Sequence, residues 1–295
     1  VIANDISERA YELIKLNVNR NGLNDVVSAY RDDANNLLLR IAREGGCDVI
    51  DIDPFGSPQP FMENSLRAIR DQGLLCVTAT DVGVLSGKYP IKCVRRYGAL
   101  PQKFPFRFEI GIRILISTIA RYALSMDYGI QPLISFLDGH YYRVCLLILK
   151  DRAYALETLK NLGYAYYRQS TLQRGFIAGY PIPASSRYRL AGPLWIGNLW
   201  DSEFLMNHFM KNIKDYFSDR AKEVSGLITE ESLGPNIPYA LTTEISRDLG
   251  RELPINDVID TIRRLGYRAV RSHFHIKGFR TNADLLKVRE VIIGK

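Results

Sequence analysis

The sequence predicts an α/β protein: a doubly wound, mostly parallel sheet, followed by a smaller, mainly helical unit. Three observations carry this. Short apolar runs alternate with amphipathic helical patterns through the first half. The runs "QPLISFLDG" and "HYYRVCLLILK" are joined by a tight turn, which makes one late strand antiparallel. From residue 201 the pattern becomes helical and ends in a basic, hairpin-like segment, the order of a winged-helix module. The expected division is therefore 1–200 and 201–295.

Each element has its own warrant. Val1-Ile2-Ala3 reads as the end of a strand. A helix starts at Ser7, carries Ala10, Leu13, Ile14 and Val18 at helical spacing, and stops at Asn21-Gly22. "VVSAY" (26–30) is a strand, and "DANNLLLRIARE" a helix capped at Asp33. "CDVIDID" (47–53) is a strand, "QPFMENSLRAIRDQG" a helix ending at Gly73, and "LLCVTATD" (74–81) a strand. The span 110–126 is too interrupted for a membrane helix, because Arg113 and Arg121 cut it, and reads as a buried amphipathic one. Residues 151 to about 200 read as a connecting region; "KEVSGLITEES", "TTEISRDLG" and "PINDVIDTIRRLGY" follow as short helices. There is no internal repeat.

Hydrophobic residues make up 46% and charged residues 24%, an ordinary globular balance. No C-x-x-C pair occurs among the four cysteines, so no zinc site and no other metal is expected. Three of them lie in apolar runs and read as reduced core residues, which points to the cytoplasm. The net charge of +7 favours an anionic partner such as nucleic acid. The segment "RRLGYRAVRSHFHIKGFR" (263–280) concentrates arginine among Tyr267, Phe274 and Phe279 and reads as an RNA-contacting face, with His273 and His275 exposed or touching RNA.

Acids stand at the expected carboxyl ends of four strands: Asp5, Asp32/Asp33, Asp53 and Asp81. Asp5 suits the two hydroxyls of a ribose, or equally a helix start before Ser7. Asp33 suits an adenine amino group, with the Ala34 N–H facing a ring nitrogen, or the cap of the next helix. Asp53-Pro54-Phe55-Gly56 suits a nucleobase. An ionised carboxylate only accepts hydrogen bonds, so Asp53 and the Pro54 carbonyl can take both N–H groups of an exocyclic amine. The nitrogen lone pair is then aimed at an electrophile, Phe55 stacks on the base, and Gly56 lets it approach. The same residues also read as a strand-ending turn. Asp138 and His140 read as turn residues rather than an acid/base pair.

The stretches "NDIS", "DDANNLL", "DIDPFGSPQPF" and "VTATD" resemble the adenosylmethionine-dependent tRNA guanine-N2 dimethyltransferases, which act on guanosine 26. The similarity continues through "GIRILISTIARYA", "YYRV", "GPLWIGNLWD" and "RSHFHIKGFRT". It implies a Rossmann-like class I methyltransferase domain (1–200), a tRNA-binding domain (201–295) and S-adenosyl-L-methionine as cofactor. Asp5 would bind the ribose, Asp33 and Ala34 the adenine, Asp53 would be catalytic, and Pro54 and Phe55 would line the base pocket. The product would be N2-methyl- and N2,N2-dimethylguanosine. The family's glycine-containing cofactor loop is expected upstream of Val1, so the sequence predicts an N-terminally truncated chain that binds cofactor poorly or not at all. The competing readings are a non-catalytic RNA-binding protein on the same scaffold and an N-methyltransferase acting on another nucleic acid.

Overall fold

The computed structural model describes residues 1–179, 189–213, 216–247, 249 and 251–294. The first half runs β1 (Ile2–Asn4), α1 (Glu8–Arg20), β2 (Ser28–Tyr30), α2 (Ala34–Arg43), β3 (Cys47–Ile52), α3 (Met62–Ala68) and β4 (Ile69–Ala79). It continues through α4 (Val82–Leu85), α5 (Pro90–Tyr97), α6 (Arg107–Leu124), β5 (Gly129–Asp138) and β6 (Tyr141–Leu149). Strands β1 and β2 pair in parallel, and β3–β4–β6–β5 form a second sheet in which only β3 and β4 are parallel. The alternating α/β order holds and the late antiparallel strand is β6. The expected single, mostly parallel sheet, however, is two pieces. Helix α2 ties them: Leu37, Leu38 and Ile41 enter the main core, and Asn64 on α3 donates to Asn35 on α2 at 2.9 Å.

Local signals set most boundaries. Ser7 and Asp33 cap α1 and α2 by accepting from Ala10 N and Asn35 N. The helix expected to reach Gly73 ends at Ala68 instead, and Ile69 already pairs with Cys47. Pairing overrides helix propensity here: the register shifts across 69–74, Gln72 takes a φ of 58°, and Arg70 grips Asp48 at 2.9 Å. Helices α4 and α5 were not anticipated. The cysteine reading also needs correction. Cys76 and Cys145 face each other across β4 and β6 with 4.1 Å between Cα atoms and form a disulfide. The sequence alone carries no register, so the pair was invisible there.

After α7 (Arg152–Lys160), the region expected as a connection folds as a three-stranded antiparallel sheet. Its strands are β7 (Leu162–Arg168), β8 (Gln173–Ala178) and β9 (Leu190–Trp195), in the order β8–β7–β9. Residues 180–188 of that region lie outside the described residues. A short turn, α8 (Ser202–Phe204), leads to α9 (Asp219–Ser232), β10 (Ala240–Leu241), α10 (Thr242–Ile245), α11 (Ile255–Arg264), β11 (Ala269–Arg271), β12 (Gly278–Thr281) and α12 (Leu285–Ile293). The sheet order β10–β12–β11 and the helix–strand–helix–helix–strand–strand sequence are those of a winged helix.

A buried charged seam joins this unit to α6, whose Ile110, Ile112, Ile114, Leu115 and Ile116 form the centre of the main core. Glu109 on α6 accepts from Arg113 Nε at 2.8 Å, Arg280 Nη1 at 3.0 Å and the Tyr239 N–H at 3.1 Å. Arg280 also donates through Nε to Glu231 at 2.6 Å. His273 Nδ1 lies 2.6 Å from Glu231, while its Nε2 accepts from the Leu137 N–H at 3.3 Å. Phe274 stacks on Tyr239. Much of the segment expected to contact RNA is therefore inside: Arg280 is 1% exposed, and Phe274, Phe279 and the His273 side chain are buried. Lys277 pairs with Glu252, and Arg263 with Glu230. Asp138 closes its turn and pairs with Arg220 at 2.9 Å.

Candidate active site

The carboxyl ends of β1, β2, β3 and β4 carry Asp5, Asp33, Asp53 and Asp81, as the alternation of elements requires. Asp5 Oδ1 accepts from the Ser7 N–H at 2.7 Å, and Asp33 Oδ1 from the Asn35 N–H at 2.7 Å. The second oxygen of each makes no hydrogen bond among the described residues. Ala34 is the first residue of α2, so its N–H has no acceptor within the helix. A residue the sequence reading passed over locks the two ends together. Asn4 donates to the Asp32 carbonyl at 3.0 Å and accepts from the Asp32 N–H at 3.1 Å.

Asp53 is exposed and has no hydrogen-bond or ion-pair partner among the described residues. The Phe55 ring beside it is 102% exposed. The loop that bears them is nevertheless held. Gly56 N–H donates to Thr80 Oγ1 at 2.6 Å, and Thr80 N–H donates back to the Gly56 carbonyl at 3.0 Å. Gly56 has a φ of 87°, and the space where a Cβ would stand is open, so the backbone conformation demands glycine. Gln59 donates to the Tyr122 hydroxyl.

Two residues within the "YYRV" stretch flank Asp53 on β6. Arg143 donates to both oxygens of Asp51, at 2.7 and 2.8 Å, and to Thr78 Oγ1 at 2.8 Å. Its hydrogen bonds to Asp51 hold its pKa above the ordinary value against burial, and Asp53 adds to the attraction. Tyr141 is pushed up by burial, then by Asp138, with Asp53 contributing. Arg143 thus ties β6 to Asp51 on β3, two residues before Asp53.

Asp81 plays a different part. Its oxygens accept from Tyr97 Oη at 2.6 Å and Arg96 at 3.1 Å, and burial followed by Asp81 raises the Tyr97 pKa. It is a paired, structural acid anchoring α5. Among the described residues no group of three or more His, Cys, Asp or Glu could hold a metal ion, and no helix is long and apolar enough to cross a membrane.

A family model described as N2,N2-dimethylguanosine tRNA methyltransferase matches residues 1–293. The chain belongs to this family. Within the N2,N2-dimethylguanosine tRNA methyltransferases it is 39% identical to the tRNA (guanine(26)-N(2))-dimethyltransferase of Pyrobaculum neutrophilum, covering 99% of this chain and 78% of that one. The protein of the same description from Methanosphaera stadtmanae is 35% identical, with 99% and 77% covered. The solved structure of Trm1 from Pyrococcus horikoshii with S-adenosyl-L-methionine superposes with a TM-score of 0.87 at 33% identity, over 98% of this chain and 81% of that chain. The Rossmann-like reading and the family resemblance are thereby borne out for this member of the tRNA methyltransferases.

Proposed function

We propose that the protein transfers methyl groups from S-adenosyl-L-methionine to the exocyclic N2 of guanine 26 in tRNA, giving N2-methyl- and N2,N2-dimethylguanosine. The observation that carries this is Asp53: a carboxylate with no protein donor among the described residues, beside a fully exposed aromatic ring, on a loop pinned to the sheet. In a chain of this family, such a carboxylate is left for the substrate. Adenosylmethionine, when bound, supplies an electrophilic methyl group. The residues present fit its nucleoside end: Asp5 keeps one oxygen for the ribose hydroxyls, and Asp33 with the Ala34 N–H meets the adenine edge.

Asp53 and the Pro54 carbonyl then hold the two N–H groups of the guanine amine, turning its lone pair out of conjugation with the ring. Asp53 carries the negative charge that favours loss of the amine proton, and Phe55 supports the flat base. Catalysis rests on positioning and electrostatics rather than on a protein nucleophile. The base has to leave its stack to reach the loop. We assign residues 1–200 to cofactor binding and transfer, and 201–295 to tRNA binding, in the cytoplasm.

The test uses protein expressed from its complete gene, adenosylmethionine and unmodified tRNA transcripts, with nucleosides read by mass spectrometry. Asp53→Ala is expected to lower the rate by at least about a hundredfold while tRNA affinity holds. Native-like methylation by Asp53→Ala would reduce Asp53 to a turn residue. tRNA binding with no methylation by the native protein would favour a non-catalytic RNA-binding role.

A further inference from the structure

Helix α5 follows the carboxyl end of β4, on the same edge as the Asp53 loop. It is fastened there at its far end. Tyr97 donates to Asp81, whose neighbour Thr80 exchanges two hydrogen bonds with Gly56 of the Asp53 loop. Arg96 holds the other oxygen of Asp81. On the inner face, burial, with Asp81 nearby, pushes the Cys93 thiol up to about 12, so it is an inert packing residue.

The outer face is different in kind. Lys88, Tyr89, Ile91, Lys92 and Arg95 line one concavity of about 500 Å³. None of the three cations is ion-paired among the described residues; Lys88 lies only over the Tyr89 ring, 5.4 Å from its centroid. Tyr89 is 50% and Ile91 79% exposed. Uncompensated cations interleaved with an exposed aromatic ring match a ribose-phosphate chain with an unstacked base or sugar. An ordinary solvated helix face would intersperse acids among the cations; this one has none between Asp81 and Glu109.

We propose that this face of α5 is a positioning site for the RNA backbone flanking the target guanine, with Lys88, Lys92 and Arg95 on phosphates and Tyr89 against a neighbouring nucleotide. The proposal rests on the tRNA methyltransferase reading. Because α5 is anchored on Asp81 and the Asp53 loop on the adjacent Thr80, a phosphate held on α5 fixes where the extruded base arrives. The site also supplies exposed cations that the buried half of 263–280 does not.

The experiment measures tRNA affinity against salt, and methylation kinetics, for the native protein and for Lys92→Glu/Arg95→Glu. A control, Arg152→Glu/Lys160→Glu, makes the same charge change on α7. Loss of two phosphate contacts to a single strand lowers the slope of log affinity against log salt by about 1.4. The α5 variant is expected to show that change, a KM for tRNA raised at least about tenfold, and unaltered thermal unfolding. The control is expected to keep the native slope and KM. Native slope and KM in the α5 variant, or equal losses in variant and control, overturn the site. Lys92→Gln/Arg95→Gln separates loss of contact from added repulsion: if it behaves as native, the α5 cations bind nothing and the proposal fails. Absence of methylation by the native protein would instead remove the underlying functional reading, whatever the salt slopes.

Discussion

Asp53 and Glu231 are both carboxylates at the ends of regular elements, and they sit in opposite surroundings. Asp53 faces solvent with no donor among the described residues. Glu231 is buried and meets Ser272 Oγ at 2.6 Å, the His273 N–H at 2.8 Å, His273 Nδ1 at 2.6 Å and Arg280 Nε at 2.6 Å. A buried charge is tolerable only with a complete set of partners, so the donors around Glu231 belong to the architecture. A solvated charge with no partner costs little to keep and stays open to a ligand. The number of donors a carboxylate already has thus separates the acid that holds the molecule together from the acid we propose faces the substrate.

The largest effect that sharpens this contrast is on stability. Arg280→Ala removes the cation between Glu109 and Glu231 and leaves both buried acids short of a partner. It is expected to cost about 3–5 kcal/mol in chemical unfolding. Asp53→Ala, which removes no hydrogen bond or ion pair among the described residues, is expected to stay within about 0.5 kcal/mol of native. Similar costs at the two sites would break the comparison.

The seam also has a pH signature. Burial alone would raise the Glu231 pKa, but Arg280 and His273, with hydrogen bonds from His273 and Ser272, hold it down at about 2 against an ordinary 4.5. The folded value lies below the unfolded one. The stabilisation is therefore complete above about 4.5 and is lost as the pH falls towards about 2. In urea unfolding from pH 5 to 2, the stability gap between the native protein and Glu231→Gln is expected to narrow by on the order of 3 kcal/mol. A constant gap would mean that Glu231 is not held ionised by the seam.

The contrast also explains what was legible in the sequence. Helix caps at Ser7 and Asp33, the strand that ends at Asp53 and the winged-helix order are local or periodic features, and each could be read directly. What failed needed tertiary knowledge. The arginine-rich, aromatic run 263–280 has the composition of an RNA face, yet Arg280 points inward because Glu109, over 160 residues away in sequence, supplies the countercharge, and Phe274 because it stacks on Tyr239. The Cys76–Cys145 bond required a register, and the end of α3 was decided by pairing with Cys47. Helix α5 does carry a helical pattern, with Cys93 and Tyr97 buried opposite Lys92 and Arg95, but at eight residues it is too short for that pattern to stand out without its packing.

The smallest effect isolates the substrate side of the comparison. The Phe55 ring is 102% exposed and makes no aromatic contact among the described residues, so its removal leaves the folded protein without a cavity or an orphaned group. The ring's position next to Asp53 leaves it free to stack on the flat base we propose is bound there. Stacking of one base on an aromatic side chain contributes about 1–3 kcal/mol. Phe55→Ala is therefore expected to lower kcat/KM for tRNA between about fivefold and a hundredfold, with unfolding unchanged, and Phe55→Tyr to restore most of the loss. A Phe55→Ala protein that methylates at the native rate would mean the ring does not support the base, leaving Asp53 and the Pro54 carbonyl as the base contacts of the loop.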